Sequence, residues 1–379
     1  MQKILHITQT DIRSDSRILK EIGALSAAGY AVSALGVVMN VGGSNSSFSS
    51  SVKISQIRLR SRGLTFLPRS LMNAFSLCEM VSKLLRSAIK QEPDLVHCHD
   101  TLALPLGVIV KLFTRARLVY DAHELESDRN GITRLESWLT LHAERLLWRF
   151  VDALIVVSPS IDAWYQDNIG PKPSAIILNS PLISKETIRE SDYLRSKFSI
   201  SSDQKIFIYA GILGPGRGVD LITQAFIQPG ITSHVVFLGY GDLADELKRL
   251  AADHPNIHVH DAVPHSDVVP IVQSADFGLC LIQNVSLSDY LCLPNKLFEY
   301  CFAGVPVLAS DFPDIRTLLS EYEIGECCDL DPESIRLAVL RLEETHQPYQ
   351  FSDVAPLSWQ AQERKLIELY QRVLASENL

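Results

Sequence analysis

Short apolar runs recur along the chain, with polar, helix-spaced stretches between them. Ile4–Thr8, Ala31–Val37, Asp94–His97, Leu118–Asp121, Ala153–Val157 and Ile176–Leu178 make one series. Ile206–Ala210, Val235–Leu238, Ile257–Val259, Phe277–Leu281 and Val305–Ala309 make a second. Runs this short and this uniformly apolar read as strands buried on both faces, the habit of parallel sheets. Between them, Asp15–Ala28 places Ile18, Ile22 and Leu25 at helical spacing and stops at Gly29. Leu243–Ala252 repeats the pattern with Leu243, Leu247 and Leu250. Strands alternating with helices predict an α/β fold, doubly wound, with helices on both faces of each sheet.

The two series predict two similar domains, and the length of 379 residues suits that number. Ser184–Ser202 is the most polar stretch between the series, which puts one domain at 1–185 and the next at 186–357. Gly42–Ser51 reads as a surface loop within the first domain. A last helix, Trp359–Ala375, aligns Leu366, Leu369, Tyr370 and Val373 on one side. Tandem domains of this kind predict a cleft between them, and ligands of such sheets bind beyond the carboxyl ends of the strands. Candidate chemistry is therefore sought just after each strand.

Composition narrows the function. Lys and Arg number 35 against 44 Asp and Glu, a net charge of −9, which argues against a nucleic-acid coat. Seven cysteines without a C-x-x-C pair fit reduced thiols better than a disulfide or zinc framework. The N-terminus turns polar after Thr8, too early for a signal peptide, and no apolar run is long enough to span a membrane. These readings place the protein in the cytoplasm. Phe66–Gln91 interleaves Arg69, Lys83, Arg86 and Lys90 with Leu71, Phe75, Met80 and Leu84. That pattern fits a helix packed on its own sheet and also one lying peripherally on an anionic membrane.

Four strand ends carry candidate chemistry. Gly211, Gly214, Gly216 and Gly218, with Arg217, follow one strand and open a helix; glycines allow close backbone approach, and a guanidinium takes two phosphate oxygens. The same loop also suits a tight turn. Gly239 and Gly241 repeat the arrangement after the next strand. In Leu293–Asp311, Pro294 suits a helix start, and Asn295 can cap it or contact ligand. Lys296 in the first turn implies an anionic partner, and Glu299 can accept two hydroxyls from a polyol. Asp121, His123 and Glu124 cluster at a strand's end, suited to sugar hydroxyls or proton transfer. His97-Cys98-His99-Asp100 puts two histidines on one strand face, the spacing of a metal pair, but His258-Val-His260-Asp261 repeats it without further ligands. No metal is expected.

These motifs together resemble the family-4-type retaining glycosyltransferases of the GT-B fold. The resemblance runs from DSRILKEIGALSAAGY through VHCHD, VYDAHE, ILNSP, GILGPGRG and GYGDLADEL to PNKLFEY, AGVPVLASD and the terminal SW-x-x-Q helix. It implies two Rossmann-like domains, the first for the acceptor and the second for a UDP- or GDP-sugar, with residues 358–379 returning to the first. The implied reaction moves a hexosyl group to a hydroxyl of a glycan, lipid-linked or small-molecule acceptor, in polysaccharide or glycolipid synthesis. No cofactor or metal is implied. Glu299 stands where the family contacts ribose, while Leu291 replaces its earlier glutamate. Of the family's two phosphate-binding cations, Ile212 replaces one and Arg217 holds the other, leaving Lys296 to help. His123 is the residue expected to hold the donor sugar. Gln9–Arg13 replaces a double glycine, which makes Asp11 and Arg13, with His99, Asp100, Asp121 and Glu124, acceptor-side candidates. An inactive nucleotide-sugar-binding scaffold and a sugar-nucleotide epimerase of the same fold are the alternatives.

Overall fold

The computed structural model describes residues 1–38, 52–63, 68–182, 192–344 and 352–375. The loop expected at 42–51, the start of the 66–91 segment and the break at 185/186 lie outside them. The chain divides into two compact units: Met1–Ile177 with Glu363–Leu379, and Leu178–Gln362.

The first unit is built on a seven-stranded sheet. Its strands are β1 (Lys3–Ile7), β2 (Ala31–Val37), β3 (Lys53–Ile57), β4 (Leu95–His99), β5 (Arg117–Asp121), β6 (Ala153–Val156) and β7 (Ser174–Ile176). They run in the order β3-β2-β1-β4-β5-β6-β7, each pair parallel. Helices α1 (Ser16–Ala27), α2 (Arg69–Gln91), α3 (Asp100–Thr114), α4 (Arg134–Leu147) and α5 (Pro159–Asn168) connect them.

The second unit repeats the plan with β8 (Ile206–Ile212), β9 (His234–Tyr240), β10 (Ile257–Asp261), β11 (Phe277–Cys280), β12 (Val307–Ser310) and β13 (Gly325–Cys328), ordered β10-β9-β8-β11-β12-β13 and again parallel. Its helices are α6 (Tyr193–Phe198), α7 (Val219–Phe226), α8 (Ala244–Asp253), α9 (His265–Val272), α10 (Leu287–Tyr290), α11 (Asn295–Ala303), α12 (Pro313–Tyr322) and α13 (Pro332–Glu343). The last helix, α14 (Trp359–Ala375), carries the chain back into the first unit from Glu363 onward.

The order follows from burial. The central strands β1, β4 and β8 are buried almost throughout because a doubly wound sheet leaves them no wet face, and apart from His6, His97 and His99 the side chains they bury are apolar. The two strands that the hydrophobic pattern does not announce, β3 and β13, are sheet edges and only half-buried. Each sheet reverses its winding between its two central strands, β1/β4 and β8/β11, and a crevice for ligand opens at the carboxyl ends there.

Candidate functional site

The second unit's crevice is lined by the turn after β8. Gly218 caps α7 in the left-handed region, φ +77°, and a methyl group there would meet the Leu281 carbonyl oxygen at 1.8 Å. The peptide of Gln283 donates to the Gly216 carbonyl at 3.0 Å, so β11's exit and the glycine turn are clasped together. Gly239 and Gly241 have a simpler cause: their Cα atoms press on the carbonyls of Gly211 and Leu213 in the neighbouring strand and turn. Packing alone explains glycine at those two positions.

Lys296 lies in the first turn of α11 with only 9% of its surface exposed. Its Nζ sits 3.5 Å from the centre of the Tyr209 ring and makes no hydrogen bond. It also faces Gly211, where a methyl group would touch it at 3.4 Å. A buried ammonium without an oxygen partner is costly, and an arriving anion removes that cost. The expected Asn295 cap is not formed: Pro294 is the N-cap residue and supplies no side-chain hydrogen bond, while Asn295 is already helical. Pro294 has no side-chain acceptor to offer, so the first-turn N–H groups receive no capping side chain.

Arg217, from the glycine turn, is held by Asp289 at 3.3 Å. Asp289 is itself fixed by the hydroxyl of Ser286 at 2.7 Å. Arg217 and Lys296 thus meet at the glycine turn after β8, Arg217 within it and Lys296 facing Gly211. Glu299, one turn beyond Lys296, is buried, with its carboxylate 3.7 Å from the ring of His265. Ile212, at the place of the second family cation, points half its surface outward.

The first unit's crevice holds a buried polar network. His6 on β1 and its register partner His97 on β4 stack with each other and with His99, two residues further along β4, at interplanar angles of 21–27°. His6 Nδ1 meets His99 Nε2 at 2.9 Å, His99 Nδ1 meets His123 Nε2 at 3.1 Å, and His97 Nδ1 meets the Tyr370 hydroxyl from α14. Asp121 receives Arg17 at 2.9 and 3.3 Å and lies 3.2 Å from His123 Nε2. His123 also faces Asp100 at 3.5 Å.

Electrostatics divides this network into neutral and charged parts. Burial lowers all three stacked imidazoles, His97 to about 3, so they are neutral at ordinary pH. Burial also works against charge on His123, but Asp121 and Asp100 outweigh it and raise its pKa to about 10. Asp121 is held well below the carboxylate range because Arg17 overcomes its burial. Burial and Asp121 raise Glu21, beside Arg17, to about 8. Ligand atoms of His6, Glu21, His97 and His99, and of His99, Asp121 and His123, lie close enough for a metal. In the first group the near-parallel rings of His6, His97 and His99 direct their in-plane lone pairs along parallel planes instead of toward one point, a poor chelate, while in the second the rings of His99 and His123 stand at 64° to each other.

The structure thus gathers His99, Asp100, Asp121 and His123 at one strand end. Asp11 is committed elsewhere, accepting from the Arg13 peptide and from Gln56, while Arg13 and Glu124 face solvent. Sequence reasoning missed Arg17, Glu21 and Tyr370; buried charges spaced i and i+4 within α1 were the available signal.

The chain matches two family models: a glycosyl transferase 4-like domain over residues 16–180 and glycosyl transferases group 1 over residues 204–345. It is 22% identical over 362 residues, covering 84% of this chain and 77% of the other, to a chitobiosyldiphosphodolichol β-mannosyltransferase of Kluyveromyces lactis. Among solved structures, sucrose-phosphate synthase from Thermosynechococcus elongatus superposes with a TM-score of 0.77 at 16% identity over the whole of both chains. Anabaena HepE in complex with UDP-glucose superposes with a TM-score of 0.68 at 14% identity over 98% of both.

Proposed function

The chain belongs to the glycosyltransferases that join a 4-like domain to a group 1 domain, and from this we propose that it transfers a hexosyl group from a nucleoside diphosphate sugar held on the second unit to a hydroxyl acceptor. The observation that carries the donor class is Lys296: a buried ammonium with no hydrogen bond, aimed at the glycine turn after β8. HepE, of the same fold, binds UDP-glucose, which supports the same class of ligand here.

In this reading Lys296 and Arg217 take the diphosphate, aided by the peptide N–H groups that open α7 and α11. Glu299 accepts the two ribose hydroxyls. As the bond between C1 and the phosphate oxygen breaks, charge grows on the diphosphate and the cations stabilise it. The acceptor oxygen bonds to C1 from the face the diphosphate leaves, and the acceptor proton passes to the departing phosphate, which retains the anomeric configuration. Positively charged His123 is assigned to the donor sugar's hydroxyls, and no step is assigned to a metal.

The test is calorimetric titration with UDP, GDP and UDP-glucose, followed by transfer assays on free and lipid-linked acceptors. Lys296→Met is expected to weaken nucleoside diphosphate binding about tenfold or more. Unchanged affinity overturns the donor site. Transfer that a chelator abolishes overturns the metal-free mechanism.

A further inference from the structure

We infer that the outer face of α4 docks onto an anionic lipid surface. A surface helix ordinarily turns its apolar stripe toward the core. This one is inverted. The single buried residue of α4 is Glu144, whose carboxylate accepts the hydroxyls of Tyr120 and Tyr165 at 2.7 Å each and of Thr101 at 3.1 Å. Spacing by helical turns from Glu144 leaves Ser137, Thr140, Leu141 and Leu147 on the inner side too, all half-buried. The opposite side presents Leu135, Trp138, Leu139 and Leu146, which expose 66%, 54%, 51% and 67% of their surface. Four large apolar groups at spacings of three, four and seven share this side with His142, whose ring lies 4.0 Å from that of Trp138.

The charge beside the stripe selects the occupant. Arg134 and Arg145 flank it, and Arg149 follows in the next turn, all three exposed. The acid on this stretch, Glu136, is tied into the capping box with Thr133 at 2.8 Å. An arginine-flanked apolar stripe on a chain of net charge −9 complements a negative surface with an apolar interior. An exposed tryptophan favours the same boundary. The α2 segment offered by the sequence is a weaker fit: it buries Leu84 and Ala88, and Lys83 is paired with Glu79 at 2.6 Å.

Flotation of the full chain with phosphatidylcholine vesicles, with and without phosphatidylglycerol, tests this. The chain is expected to float with the anionic vesicles, to be released by high salt, and to shift its tryptophan emission to the blue. Leu139→Ser with Leu146→Ser should weaken binding on the order of tenfold or more while keeping the native melting temperature, because both side chains are exposed. Arg145→Glu with Arg149→Glu should weaken it about tenfold on anionic vesicles. Trp138→Phe should still float but lose the emission shift. Undiminished flotation of the leucine variant overturns the proposal, as does failure of the native chain to float. A native dimer that the leucine variant converts to monomer also overturns it, and assigns the face to a second copy.

Discussion

Glu299 and Lys296 are three residues apart on one helix, yet they carry opposite charge into the same buried strand end. Lys296 is buried without a hydrogen bond and Glu299 lies 3.7 Å from the His265 ring, so a substitution at each is a sharp test of ligand binding. Glu299→Gln keeps the shape but removes the charge that two ribose hydroxyls would share. Donor affinity is expected to fall about tenfold, read by calorimetry. Asp121 has a different part: it neutralises buried Arg17 and holds the proton on His123. Asp121→Asn should destabilise the first unit by roughly 1–3 kcal/mol, because it takes the ionised partner from a buried guanidinium that keeps Glu21 at 3.2 Å and the Ile177 carbonyl at 2.9 Å; chemical denaturation measures this. The charge on His123 also sets a pH dependence. Its folded pKa of about 10 lies above its ordinary 6.5, so its contribution to stability is complete below pH 6.5 and is lost as pH rises through about 10. In His123→Asn the fall of unfolding free energy across that window should flatten, measured by urea melts at a series of pH values.

At the scale of elements, the hydrophobic pattern made eleven of the thirteen strands among the described residues legible and missed β3 and β13 for one reason. Lys53–Ile57 and Gly325–Cys328 are edge strands, half-buried and carrying Gln56 or Glu326, so no apolar run marks them. The site was legible where chemistry is local: the glycine turn after β8 and the Lys296–Glu299 turn are read directly from PNKLFE and its neighbours. It was not legible where partners are distant. Arg17 sits in a helix whose periodicity was already accounted for by Ile18, Ile22 and Leu25, and its carboxylate partner is 104 residues away. The inversion of α4 was hidden likewise, since Glu144 is buried by hydroxyls from Thr101, Tyr120 and Tyr165. Gly218 gives the element-scale prediction. A methyl group there would lie 1.8 Å from the Leu281 oxygen, against backbone that has no rotamer to yield. Gly218→Ala should therefore cost roughly 1–3 kcal/mol from backbone strain, lowering the melting temperature, and should loosen donor binding with it.

For the whole molecule, the decisive feature is that α14 returns the chain to its first unit. From Glu363 onward α14 belongs to the unit built from residues 1–177, and it buries Leu366, Leu369, Tyr370 and Val373 there. Tyr370 also closes the hydrogen-bond chain of the stacked histidines through His97. Each large buried apolar side chain is worth about 1.5–3 kcal/mol, so four of them match a large part of a domain's stability of about 5–15 kcal/mol. The second unit has its own core, in which Phe207, Phe226, Phe237 and Phe277 pack with Val339 and Leu342. A chain ending at Gln362 should accordingly lose the first unit's cooperative melting transition and keep that of the second. Scanning calorimetry distinguishes this from the loss of both transitions or of neither. Nucleoside diphosphate titrated into the same truncated chain should still raise the surviving transition, because Arg217, Lys296 and Glu299 all lie within the second unit, whereas transfer to any acceptor should be abolished.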